Sequence, residues 1–275
     1  MAGLRELRKR LRSIRTTEQV TNAMRTAASA KYAKVGASRA AYAPYSEACM
    51  DILAQLGAAG IERKTETVEP RDCIVLLSSN RGLCGGYNTE IFRFFHEERT
   101  RHGEAPLLIA GGRKASAELR SAGLPFEEVT LSDVPTADEA MVLAERLLEL
   151  YVSGEVERIL FVYQKFHNML TQTPTVEQLL PAGEKAKTDG ADVLYLPDRE
   201  SIRARLAVSC FDSRVYEILL DNAAGAQAAT LMAMRNASDN ARDAGARLEL
   251  TINRRRQAEV TASVIETASG NHSQQ

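Results

Sequence analysis

Two stretches at opposite ends of this chain are almost free of helix breakers, and each is too long to fold against itself. From Leu4 to the residue before Gly57 there is one proline, Pro44, and one glycine, Gly36; from residue 201 to 269 there is no proline. Proline costs about 3 kcal/mol and glycine about 1 kcal/mol in a helix interior, so their scarcity predicts helix. A helix of roughly 50 residues is about 75 Å long, more than the diameter of a small domain. Much of it therefore needs a partner outside its own globular core. Leu4, Leu7, Leu11 and Ile14 follow a 3-4-3 spacing, the seam of a coiled coil, and the stripe resumes, shifted, at Val20, Met24 and Ala27. In the second stretch Ala237, Ala241, Ala244, Leu248 and Ile252 follow a 4-3-4-4 stripe. Ten alanines between residues 223 and 246 would let a partner helix approach closely. Gly225 and Gly245 lie in that run and mark either close contact or tolerated surface positions.

Between these stretches the pattern changes. The runs "CIVLLSS", "PLLIAGG", "RILFVYQKF", "VEQLLPA" and "DVLYLP" read as strands, and residues 86–100, 112–122 and 136–152 read as helices. Strands separated by helices predict a βαβ-type sheet. The polar segment 182–192, "AGEKAKTDGAD", reads as an exposed loop. The expected fold class is α/β: a long antiparallel coiled coil of N- and C-terminal helices plus a Rossmann-like α/β domain. The expected division is 1–60, 70–200 and 201–275.

A net charge of -1 argues against generic nucleic-acid binding. No run of about 18 apolar residues exists, so no membrane insertion is expected. Four cysteines without CxxC spacing read as reduced thiols. The opening "MAGLRELRKRLRSIR" superficially suits a mitochondrial transit peptide, but its pattern continues unbroken through residues 16–56. It is therefore read as part of the fold of a bacterial-type protein.

The stretch "SSNRGLCGGYN", residues 78–88, poses the question of chemistry. A strand, a glycine-rich turn and a helix in that order place phosphate on a helix N-terminus in nucleotide-binding proteins. The turn has no GxxxxGK and no GxGxxG, so the expectation is a tight structural turn, with Asn88 or Thr89 capping the helix. Cys84 reads as a structural thiol, since none of the four histidines lies in a local motif with it. Neither HExxH nor paired cysteines occur, so no metal site, no cofactor and no catalytic constellation are expected. Charge is more informative. Arg5, Arg8, Lys9, Arg10, Arg12 and Arg15 stand against the single acid Glu6, and "NRRRQAE" supplies Arg254, Arg255 and Arg256. In an antiparallel pair both clusters would lie on one rod. They form a solvated face, a membrane-surface helix, or a basic section meeting acidic loops of another protein.

Three ordered stretches carry a resemblance along essentially the whole chain. They are "LRKRLRSIRTTEQVTNAMRTAASAKYAKV", "SSNRGLCGGYN", and "ATLMAMRNASDNA" followed by "LTINRRRQAEVT". The chain resembles the gamma subunit of the rotary F-type ATP synthase. That resemblance implies a non-catalytic central-stalk rotor, with 1–60 and 201–275 as shaft helices and 70–200 as the foot. It implies a hexamer of alpha and beta subunits around the shaft, an epsilon subunit and a ring of c subunits at the foot, and a peripheral place on the cytoplasmic face of a bacterial inner membrane. It further implies that Arg256 and Gln257 contact an acidic loop of beta. Arg8, Lys9 and Arg12 are secondary shaft contacts, and Met24 faces another acidic beta loop at the neck. The chain departs from the family's pattern in its polar end, "TASGNHSQQ", and in Ile252 where a Tyr is usual. A divergent second or sodium-type F-ATPase, a static coiled-coil scaffold, and a small nucleotide-using enzyme on residues 70–200 are the rival readings.

Overall fold

The computed structural model describes residues 3–56, 61, 71–101, 106–182 and 198–272, with side chains described as far as residue 265. The elements in order are α1 (Leu4–Gln55), β1 (Asp72–Leu77), α2 (Tyr87–Arg99), β2 (Leu107–Gly111), α3 (Arg113–Ser121), β3 (Glu127–Val129), α4 (Ala137–Val152), β4 (Arg158–Phe166), β5 (Gln172–Leu180) and α5 (Arg199–His272). The expected strand "DVLYLP" and all but the first residue of the 182–192 loop lie outside the described residues, as do the side chains of the polar C-terminal end. The chain forms two compact units, Met1–Ala27 with Leu231–Gln275, and Ala28–Thr230. Both α1 and α5 contribute to each.

In the larger unit the sheet has the order β3-β2-β1-β4-β5, with β1 to β4 parallel and β5 antiparallel to β4. Every residue of β1 is buried, which explains the apolar run from Cys73 to Leu77, since a parallel strand covered on both faces has no polar side; Asp72 at its start is buried with Arg158 donating to both its oxygens at 2.7 Å. The period-2 alternation sorts its side chains. Ile74 and Leu76 meet Ile91 and Phe95 of α2 and Ala115 and Leu119 of α3. Cys73, Val75 and Leu77 meet the other layer, built from Leu143, Ala144 and Leu147 of α4, Val35 of α1, and Val215, Ile218 and Leu219 of α5. The long helices thus supply part of the sheet's own core. Thr136 caps α4 in a capping box with Glu139.

In the smaller unit α1 and α5 pack antiparallel, with Arg15 bonded to Glu249 at 2.5 Å and Glu18 to Arg242 at 3.2 Å. Met234, Ser238, Ala241, Gly245, Leu248, Ile252 and Arg255 of α5 are all shielded and form an unbroken 4-3 alternation, with Ala237 half-buried beside it. This corrects the expected stripe at Ala244, which is exposed; Gly245 takes the seam and packs near Ile14 and Leu11. On α1 the expected shift at Val20 and Ala27 is also corrected. Val20 is 52% exposed, whereas Thr21, Met24 and Ala28 turn inward. Thr21 can be buried because its hydroxyl donates to the Thr17 or Glu18 carbonyl one turn back, 2.9 and 3.0 Å away.

Candidate functional site

The glycine turn is a junction. Gly85 has φ +60° and Leu83 φ +66°, so the chain reverses sharply after β1. Asn88 does not cap α2. The cap position is Gly86, without a side-chain bond, while Asn88 Nδ2 donates to Ser79 Oγ at 2.8 Å and Cys84 Sγ at 3.1 Å. The turn itself outcompetes the cap for that amide. Cys84 is buried within it, and all four cysteines are free and buried. Burial pushes the Cys73 thiol up to about 12 and Cys210 to about 11, conditions for inert thiols.

Polar groups of the turn are engaged within it: the Ser79 amide donates to Asn88 Oδ1 at 3.2 Å and Ser79 Oγ to the Arg81 carbonyl at 2.6 Å. In a doubly wound sheet, ligands lie outside the carboxyl ends of the strands where the strand order reverses, here between β1 and β4. That crevice is filled by protein. Tyr87 Oη donates to the Asn222 carbonyl of α5 at 2.8 Å, Asn222 Nδ2 donates to the Ser78 carbonyl at 3.2 Å, and Gln164 Nε2 of β4 donates to the Tyr87 carbonyl at 3.2 Å. Burial holds the Tyr87 phenol well above its ordinary value, so it stays a neutral donor. The Glu90 carboxylate lies against Gly86 at the start of α2, where it would repel an anion. The amides of Ala115 and Lys114 at the start of α3 are taken by Ser78 Oγ at 2.6 Å and the Ser79 carbonyl at 3.2 Å.

The same turn reaches α1. Asn80 Nδ2 donates to Asp133 Oδ1 at 3.1 Å, and Asp133 accepts from Lys31 of α1. Burial pushes Asp133 up, but the Lys31 and Asn80 hydrogen bonds outweigh it and hold the carboxyl below its ordinary value. At the far edge, Arg214 of α5 grips Glu177 of β5 through two bonds of 2.6 and 2.7 Å, and Tyr163 donates to Glu177 at 2.8 Å. These crosslinks were missed in the sequence reading. An isolated Asn within an alanine run was the one local signal, and Asn222 was passed over.

The residues expected to contact partners fall into two groups. Gly245 sits level with Leu11 and Ile14, and a heptad step from that register sets Leu7 beside Ile252. Arg8, Lys9 and Arg12 thus share one end of the helix pair with Arg256 and Gln257. All five are exposed, and none of their side chains has a hydrogen-bond or ion-pair partner among the described residues. Met24 is not brought to them. It is half-buried in the seam, 16 residues from Arg8, or about 24 Å along the helix. Among the described residues no helix is long and apolar enough to cross a membrane.

A family model described as ATP synthase matches residues 3–273. The ATP synthase gamma chain of Glaesserella parasuis serovar 5 (strain SH0165) is 32% identical over 284 residues, covering 98% of this chain and 99% of that one. Among solved structures, the chain is similar to one in the mitochondrial ATP synthase rotor of Euglena gracilis in rotational state 1. That match has TM-score 0.67 and 18% identity, covering 94% of this chain and 98% of that one. It is also similar to a chain in the central stalk and c-ring of the Tetrahymena thermophila mitochondrial ATP synthase, with TM-score 0.61 and 20% identity, covering 80% and 99%.

Proposed function

This chain belongs to the ATP synthase gamma-chain family, and from that we propose that it is the central-stalk rotor, coupling ion-driven rotation of a c-ring to conformational change at catalytic beta subunits. Its partners are the alpha and beta subunits around the shaft, and an epsilon subunit and the c-ring at the foot. The shaft is assigned to residues 1–60 and 201–275 and the foot to 70–200. The subunit is non-catalytic and sits peripherally on the cytoplasmic face of a bacterial inner membrane.

One observation supports the shaft assignment above the others: a basic end of the helix pair where Arg5, Arg8, Lys9, Arg10, Arg12, Arg254 and Arg256 have no side-chain partner among the described residues. Arg5, Arg8, Lys9, Arg10 and Arg12 share one end of the helix pair with Arg254 and Arg256, and like charges gathered at one end repel unless acids from elsewhere approach. A guanidinium holds a carboxylate bidentately, and a surrounding subunit with acidic loops completes the set. Arg256 and Gln257 are the first contacts, Arg8, Lys9 and Arg12 the second, and Met24 marks the neck. In binding terms the shaft acts as an asymmetric ligand that favours a different conformation at each catalytic site. A hydrogen bond to a charged group contributes about 1.5–3 kcal/mol, roughly a tenfold or larger change in rate. Arg256→Ala in the assembled complex should lower ATP synthesis and hydrolysis together by about tenfold, with Arg256→Lys intermediate. Unchanged turnover in both directions would remove Arg256 from the contact.

A further inference from the structure

The larger unit joins its sheet to its two helix segments, residues 28–55 of α1 and 199–230 of α5, by two kinds of contact, and they resist different motions. Burial of apolar surface is non-directional, so a helix that turns slightly about its axis keeps most of it. Hydrogen bonds are directional and fail within about 1 Å of stretching. For a helix some 10–12 Å across, a 1 Å shift at the surface corresponds to a rotation of roughly 10°. The polar crosslinks therefore set the rotational register.

Two of these crosslinks come from one turn. Residues 78–88 hold α5 through the Tyr87–Asn222 bond at 2.8 Å and the Asn222–Ser78 bond at 3.2 Å. They hold α1 through Asn80, Asp133 and Lys31. α5 lies so close that a Cβ on Gly225 would stand 3.0 Å from the Tyr87 ring and 3.3 Å from Gln172 Cγ. Tyr87 and Asn222 are both buried, so water cannot replace the bonds if they open.

We propose that the turn 78–88 is the positioning element that locks both helices to the α/β domain in rotation, with Tyr87–Asn222 and Asn80–Asp133–Lys31 as its two clasps. This rests on the rotor reading, in which torque must pass between helices and foot. Tyr87 and Lys31 are positioning residues that touch no nucleotide.

The test uses the assembled synthase carrying Leu170→Cys, an exposed site at the β4–β5 hairpin tip where a marker can be attached. Angular fluctuation of the marker is recorded with the rotor stalled in the absence of nucleotide, in Tyr87→Phe, Lys31→Met and the double variant. The double variant should raise angular variance at least twofold, and each single variant should raise it measurably. Leu150→Ala, which opens a cavity at the opposite end of α4, about 20 Å along that helix from the Asp133 clasp, should lower the melting temperature without changing the variance. Wild-type variance in variants whose marker still rotates on ATP would overturn the inference and leave the rotor reading standing. A wild-type marker that never rotates would remove the rotor reading itself. If the double variant does not assemble, Tyr87→Phe alone decides, because it keeps the ring and removes only the hydroxyl.

Discussion

Two glycines on one helix show how far composition can be read. In the sequence Gly225 and Gly245 are equivalent interruptions of an alanine run. In the structure a methyl on Gly245 would meet Ile14 at 3.6 Å and Leu11 at 4.0 Å, ordinary contact, whereas one on Gly225 would press on the Tyr87 ring at 3.0 Å. Gly245→Ala should therefore stabilise the chain by about 0.5–1 kcal/mol through helix propensity and a less flexible unfolded state. Gly225→Ala should destabilise it by about 1–3 kcal/mol through overpacking. Urea unfolding of the two variants distinguishes them, and the same sign for both would contradict the packing. Asp133 carries a pH prediction. Its folded value lies below the ordinary one, so its contribution is present above the unfolded value near about 4 and is lost as pH falls through the folded value. The stability gap between wild type and Asp133→Asn should be larger at pH 7 than at about pH 3; an equal gap at both would mean that the Lys31 bond adds nothing. None of this was legible beforehand, because Tyr87 and Asn222 are 135 positions apart and Lys31 and Asp133 are 102 apart.

At the scale of elements the sequence was far more informative. The first helix, α2, α3 and α4, and strands β1, β2 and β4 lie within two residues of where periodicity and breakers put them, and α5 within three. What escaped has physical causes. The three-residue β3, Glu127–Val129, has no apolar alternation to reveal it, and its acids are held by Arg146 and Arg120. β5 begins at Gln172, earlier than its apolar run, because Pro174 in a polar stretch reads as a strand breaker; it is tolerated on an edge strand. The seam was read correctly at Leu4, Leu7, Leu11 and Ile14 and lost at Val20. A buried Thr that satisfies itself on its own helix gives no apolar signal. The seam makes a direct prediction. Ile252 is buried and Leu250, two residues away, is 60% exposed. Ile252→Ala should cost about 2–3 kcal/mol and speed hydrogen exchange along residues 4–20, while Leu250→Ala should stay within about 0.5 kcal/mol. Equal costs would contradict the 4-3 register.

For the whole molecule, architecture and role are separable. The layout of two long helices and a Rossmann-like sheet could be read from breakers and periodicity alone, and it pointed to a piece of a larger assembly. The role came from the residue-by-residue resemblance, and the family match supports it over the full length. The glycine turn drew attention as a phosphate cradle. In the fold it is a clasp, with the crevice between β1 and β4 filled by Tyr87, Asn222 and Gln164. The basic end of the helix pair is the complementary feature: Arg8, Lys9, Arg12 and Arg256 are exposed there, with no side-chain partner among the described residues.

The central claim is that this chain turns within a catalytic assembly. Its four native cysteines are buried, so Leu170→Cys offers one exposed attachment point. With the complex fixed through its alpha and beta subunits, a marker at this point should rotate in a single direction when ATP is supplied and stop when it is withdrawn. A marker that stays still, or only fluctuates, while the same molecules hydrolyse ATP would contradict the account.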